Sequence, residues 1–193
     1  MNKSTFHIPH STFQRGFTLV EALVSAAVFA VCMSSIVGIY VSLQKINQRS
    51  AAIQAVAQNA RFVHEDLTKL LANGWIDYSR YSSGTVPQPD TDELNVIDRL
   101  GEQVRIFFAG DVLYIEKGPA GAGYISAFTG SDVKVLDWRI YITPATNPFP
   151  VGGANPQEQP AVGVFLDLES NLDARERARQ SFQTTITTRQ YPD

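Results

Sequence analysis

The sequence predicts an α+β protein in which a long N-terminal α-helix, membrane-spanning over its first half, packs against a C-terminal antiparallel β-sheet. Three observations carry that prediction. Residues 22–44 contain no charge, residues 39–73 contain neither Pro nor Gly, and beyond Pro89 the chain turns to β-rich runs separated by turn residues.

The uncharged stretch comes first. At roughly 1.5 Å of rise per residue, a helix over 22–44 is about 35 Å long, enough to cross a hydrocarbon core of about 30 Å. Ahead of it stands Gly16-Phe17-Thr18-Leu19-Val20-Glu21, preceded by a short leader whose basic residues are Lys3 and Arg15. Glu21 lies just inside one end of the apolar run, where a carboxylate needs a reason. A charged side chain costs roughly 2.5 to 3.5 kcal/mol at mid-membrane on insertion scales, and less near the interface. Two readings stay open. In one, Glu21 is shallow enough to reach the headgroups; in the other it meets a partner charge. If the chain is cut after Gly16, the new amine of Phe17, with a pKa of about 7.7 to 8, lies one helical turn from Glu21. In a bundle of such helices, Glu21 of one chain can neutralise the Phe17 amine of its neighbour. A secretory signal peptide is the competing reading, with Lys3 and Arg15 as its basic region and Val28-Phe29-Ala30 as a small-residue cleavage site. Glu21 weakens it, and the apolar run continues past Ala30 through Val41.

The helix continues beyond the apolar run. Ile46, Ile53, Val56, Ala60, Val63, Leu67 and Leu70 recur at spacings of three, four or seven, one stripe of an amphipathic helix packed on a sheet. A coiled coil shows the same stripe, but only about three heptads are present and strands follow. On the opposite face Arg61, Glu65 and Lys69 form an i, i+4 ladder of solvated charges, worth a few tenths of a kcal/mol per pair. Gly74 is placed for a helix C-terminal cap, with Trp75 folding back on the last turn.

Residues 78–89, rich in Ser, Gly, Pro and Tyr, read as a loop. Two β runs, 103–108 and 112–117, flank Ala109-Gly110-Asp111 as a short hairpin. Residues 133–142 form a further strand, with Trp138 and Tyr141 in the core. A Pro/Gly-rich loop spans 143–160, and 161–168 with 181–191 supply two last strands. Phe182, Ile186 and the alternating apolar residues of 162–168 share an inward face that the Thr184 and Thr188 hydroxyls must be reconciled with.

Composition sets bounds on chemistry. The net charge is −3, and removing Lys3 and Arg15 from the 16 basic residues leaves 14 against 19 acidic, or −5. That balance gives no general attraction for nucleic acid. The one cysteine, Cys32, lies in the apolar run, so no intramolecular disulfide forms. His7 and His10 belong to the leader, and His64, beside Glu65 and Asp66, reads as a surface histidine. No Ser/His/Asp order, phosphate-binding glycine loop or paired metal motif is present, which argues against an enzyme and names no cofactor. Asp90, Asp92, Glu93 and Asp98 match a calcium loop in charge only, lacking its alternating oxygens and its glycine, so they read as a solvated acidic loop and no metal site is assigned.

The run Gly16-Phe17-Thr18-Leu19-Val20-Glu21 resembles the start of the type IV pilins and pseudopilins. Their leader ends in Gly, followed by Phe-Thr-Leu, a hydrophobic residue and Glu. The resemblance implies cleavage between Gly16 and Phe17 by an aspartyl prepilin peptidase on the cytoplasmic side, and N-methylation of Phe17 by the same enzyme. It implies charge pairing of Glu21 with the Phe17 amine during assembly, and a pilin-like fold. It further implies partners: other pilins or pseudopilins in a filament or tip complex, an inner-membrane assembly platform, and membrane lipid before assembly. Lys45 and Arg49 follow the span as closely as Lys3 and Arg15 precede it, so the orientation, with the C-terminal domain outside the cytoplasm, rests on the motif. The size and the Thr-rich tail look like the larger minor pseudopilins, particularly the J-type of type II secretion, and like related minor pilins. Many pilins close a C-terminal loop with a disulfide, and this chain departs from them there.

The expected organisation is thus a leader at 1–16, a transmembrane and assembly helix at 17–44, an extracytoplasmic amphipathic helix half at 45–74 and a β domain with long loops at 75–193. The function implied is a minor pilin or pseudopilin. A major pilin subunit, or a minor pilin that holds DNA, a surface or a secreted substrate at a tip, is the alternative.

Overall fold

The structure is a computed structural model that describes residues 16–119, 121–149, 158–171 and 177–188. The leader up to Arg15, with His7 and His10, and the tail from Arg189 lie outside the described residues. Among the described residues a single α-helix, α1, runs Leu19–Asn73. Eight strands follow: β1 Trp75–Ile76, β2 Glu93–Ile97, β3 Gln103–Ala109, β4 Val112–Lys117, β5 Tyr124–Ala127, β6 Val133–Thr143, β7 Ala161–Ser170 and β8 Arg179–Thr187. The expected α+β layout is present, with its antiparallel strands divided into two sheets of order β1-β2-β3-β4-β5 and β6-β7-β8. By density of internal contacts the chain divides into the units Met1–Gln44 and Lys45–Asp193.

In the second unit, α1 buries Ala52, Val56, Ala60, Val63, Leu67 and Leu71, each three or four residues from the last and so on one face. Two members of the expected stripe fall away from it. Ile46 is 59% and Ile53 is 52% exposed; Ile53 follows Ala52 by about 100° of helix rotation, which turns it off the packed face. At the other end Leu71 is fully buried and Leu70 only half-buried. The solvated face pairs Lys69 with Asp66 at 3.4 Å, three residues apart, in place of the Glu65–Lys69 pairing that the ladder suggests.

Gly74 ends the helix for a reason other than the expected cap. Its φ is not positive, but a Cβ there would collide with the Ile97 carbonyl oxygen and stand 2.9 Å from that of Leu70. The crowding comes from β1, which starts at once and pairs Trp75 with Ile97 and Ile76 with Val96. Trp75 therefore belongs to a strand. The segment read as a loop at 78–89 holds two short 3₁₀ turns, Tyr78–Arg80 and Ser82–Gly84.

The β3–β4 hairpin closes as expected, with Ala109 opposite Val112 and Gly110 at φ +65°, a conformation that favours glycine in a two-residue turn. β6 carries a bulge between Val135 and Asp137. The bulge switches its inward residues from Val133 and Val135 to Trp138, Ile140 and Ile142, all buried. Tyr141 was expected in the core beside Trp138, yet residues three apart on a strand face opposite ways, and Tyr141 is exposed. Opposite β7, the pairs Val162–Ile186, Val164–Thr184 and Leu166–Phe182 set the expected inward face. Thr188 is buried on it, and its hydroxyl donates to the Pro160 carbonyl at 3.4 Å.

Candidate functional site

The residues singled out at the N-terminus sit where the helix begins. Gly16, Phe17 and Thr18 are non-helical and exposed. Thr18 is the N-cap: its Oγ1 accepts the Glu21 backbone N–H at 3.2 Å and its carbonyl accepts that of Ala22 at 3.1 Å. Glu21 is thus the third helical residue of a Thr-x-x-Glu start, where a carboxylate also meets the positive end of the helix dipole. Sequence reasoning missed this role, although a Thr three residues before Glu ahead of an apolar run is the signal for it. The same geometry places Phe17 before the cap, outside the helix. At Gly16 an added Cβ would meet nothing within 4 Å.

From Leu19 to Gln44 every residue is exposed, including the large apolar side chains of Leu23, Phe29, Ile36 and Tyr40. Four polar side chains of this stretch bond within the helix. Ser34 and Ser35 donate to the Val31 carbonyl, Ser42 to that of Gly38, each at 2.9 to 3.0 Å, and Gln44 Nε2 donates to the Tyr40 hydroxyl at 2.8 Å. Such a surface suits hydrocarbon, where an unpaired polar group is costly. Helix α1 is long and apolar enough to cross a membrane.

The acidic stretch at 90–98 is not one loop. Its middle is β2, where Glu93 forms a two-pronged ion pair with Arg105, and Asp98 accepts the N–H groups of Leu100 and Glu102 at 2.8 and 3.0 Å in the following turn. Among the described residues no cluster of His, Cys, Asp and Glu could hold a metal ion. Arg105 also reaches Glu116 at 3.5 Å, opposite it on β4, and lies over the Phe107 ring at 4.5 Å. Glu116 is only 2% exposed; the Gly121 N–H donates to it at 3.0 Å, so its charge is balanced and hydrogen-bonded. The bond to Glu93, and then its charge, hold the Arg105 guanidinium above its ordinary pKa despite partial burial. This network ties three strands together.

His64 differs from the surface residue expected. It is half-buried with its ring 5.1 Å from that of Phe182 on β8.

The prokaryotic N-terminal methylation motif matches residues 12–37. The chain carries a prepilin-type N-terminal motif. It supports the type IV pilin family, pseudopilins included, and points to a structural subunit in place of an enzyme. The motif implies processing by prepilin peptidase and filament assembly with other pilins, and with the apolar helix it fits a membrane-anchored protein. No curated protein and no solved structure matches the chain.

Proposed function

We propose that the chain is a minor pilin or pseudopilin: an inner-membrane, single-pass precursor whose C-terminal domain lies outside the cytoplasm and joins a filament or its tip. One observation carries the reading. The prepilin-type motif opens a helix half whose apolar surface is exposed among the described residues, as a subunit that passes from lipid into a helical bundle requires. Prepilin peptidase cuts between Gly16 and Phe17 and methylates the new amine of Phe17. Glu21 then offsets the Phe17 amine of a neighbouring subunit, since a buried amine and a buried carboxylate each need a counter-charge. The missing disulfide and the long loops favour a minor subunit over a major one. Stoichiometry in purified filaments separates the two, because a major subunit dominates and a minor one is scarce.

Mass analysis of the mature N-terminus tests processing: N-methyl-phenylalanine from Phe17 is expected, and a chain starting after Ala30 would defeat the reading. Gly16→Val should leave an uncleaved precursor. Glu21→Val keeps the backbone N–H that bonds to Thr18, so the helix start survives and only the charge is lost. Cleavage should continue while crosslinking to neighbouring helices drops, and Asp at position 21 should restore part of it. Unchanged crosslinking with Val would remove Glu21 from assembly.

A further inference from the structure

β8 is the last strand of its sheet, so among the described residues one of its edges is unpaired. It runs for nine residues, Arg179–Thr187, with a charge only at Arg179 and no Pro or Gly, and it pairs with β7 in unbroken register. Edge strands usually discourage further pairing with lysine, proline, a bulge or a covering segment. The other edge of this sheet has such a cover: Thr91 exchanges backbone hydrogen bonds with Ile140 of β6 at 2.8 and 2.9 Å, and Trp138 Nε1 donates to the Asp92 carbonyl.

The register shows which amides are free. The Thr188 N–H donates to the Pro160 carbonyl at 3.0 Å, and strand backbones alternate with period two. Phe182, Thr184 and Ile186 therefore direct their N–H and C=O groups at β7, whereas Ser181, Gln183, Thr185 and Thr187 direct theirs away from it. Beside this edge lies a cleft of about 390 Å³, lined by His64, Thr68 and Ala72 of α1 and by Thr184, Thr185, Ile186 and Thr187. A sheet face contributes alternate residues to a surface; four consecutive residues line one cleft only where the backbone edge itself faces it. On the helix side, His64 Nδ1 and Thr68 Oγ1 are buried without a hydrogen-bond partner among the described residues.

We propose that this cleft takes an extended, uncharged segment of a neighbouring subunit of different sequence, which adds to β8 as a further strand. The row of alternate free amides and carbonyls calls for a strand, because a helix spends its backbone groups on itself. The absence of charge from Gln180 to Thr187 calls for an uncharged one, and hydroxyl or amide side chains of that segment partner His64 Nδ1 and Thr68 Oγ1. The inference rests on the filament-subunit reading for its neighbouring subunit and is independent of processing at Gly16, so the strand addition and the processing can each fail alone.

Amide hydrogen exchange on the full chain in detergent micelles tests it, with an end-blocked nonapeptide of alternating Thr and Val as probe. Exchange at Ser181, Gln183, Thr185 and Thr187 should slow about tenfold or more with the probe, the signature of newly bonded amides. The same peptide N-methylated at alternate residues should have no effect, a comparison that needs no variant of the protein. Thr185→Pro removes an outward amide at an exposed edge position, where proline is tolerated; it should keep the melting temperature and lose the response. Three outcomes overturn the proposal. The probe leaves exchange unchanged; or the four amides are already protected in dilute chain, so that residues beyond Thr188 cover the edge; or protection rises with chain concentration alone, which makes a second copy the occupant.

Discussion

The two halves of α1 share one backbone helix and differ in everything that holds it in place. Over 19–44 each residue is exposed, whereas over 52–71 six side chains three or four apart are buried, five of them, from Val56 to Leu71, in a core shared with both sheets. The first half has apolar residues on all sides and the second has them in a stripe. A helix apolar all round needs a surrounding apolar medium; a striped one needs a single surface. The contrast teaches that one continuous helix can meet two different requirements, and the described residues supply the packed surface only for the second half.

The strongest way to break this comparison is a matched pair of truncations. Leu67→Ala, at a fully buried site, should cost about 2 to 5 kcal/mol of unfolding free energy, while Phe29→Ala, at a site 61% exposed, should stay within about 0.5 kcal/mol. Denaturant unfolding of the full chain in detergent, followed by tryptophan fluorescence from Trp75 and Trp138, reads both. Equal losses would mean that the halves fold as one.

A smaller effect is expected where the second half meets the first sheet. Gly74→Ala forces a methyl against the Ile97 carbonyl oxygen and should cost about 1 to 3 kcal/mol, as overpacking does; an unchanged midpoint would show that the junction is looser than its geometry. Asn59→Ala is expected to cost about 1 kcal/mol. Asn59 Oδ1 accepts the Gly130 N–H at 2.8 Å, and its Nδ2 donates to Asp132 at 3.2 Å, so it ties the helix to the crossover between the sheets. Exchange of the Gly130 amide should rise in this variant, and no rise would remove the clamp.

The last effect is confined to alkaline pH. Burial, and then the neighbouring Tyr81, push the Tyr78 phenol up to about 12; burial likewise pushes Tyr81 up to about 12, against the hydrogen bonds from Asn95. The folded state thus holds these protons more tightly than the unfolded chain. Their stabilising contribution is complete below pH 10 and is lost as pH rises from 10 towards 12. Residues 45–193 should unfold in that window while the helicity of the first half in detergent persists. Tyr81→Phe should shrink the pH dependence, and an identical alkaline transition in that variant would rule out its phenol as a cause.

Local signals made much of this legible. The β3–β4 hairpin followed from Gly110-Asp111 between two β runs, and the inward face of β7 and β8 from strict alternation. β1, β2 and β5 were missed because two to five residues carry too little period to stand out, and β2 was masked by the acids around it. Tyr141 was misplaced because it lies three residues beyond Trp138 on a strand, both past the bulge, and so faces the opposite way. At the N-terminus, Gly16, Phe17 and Glu21 stood out as a motif, while the cap formed by Thr18 passed unnoticed behind it.

By itself the sequence determined the apolar segment, the prepilin-type motif at its mouth and the presence of strands behind a long helix. Those are properties of neighbours in the chain: charge, spacing and turn chemistry act over a few residues. Only the tertiary structure decided that the strands form two sheets, that Gly74 answers to Ile97 and that Glu116 is buried against Arg105. It also decided that one edge of β8 faces a cleft beside His64. Each of these depends on groups far apart in sequence, and their distance is settled by packing, to which no local pattern is sensitive.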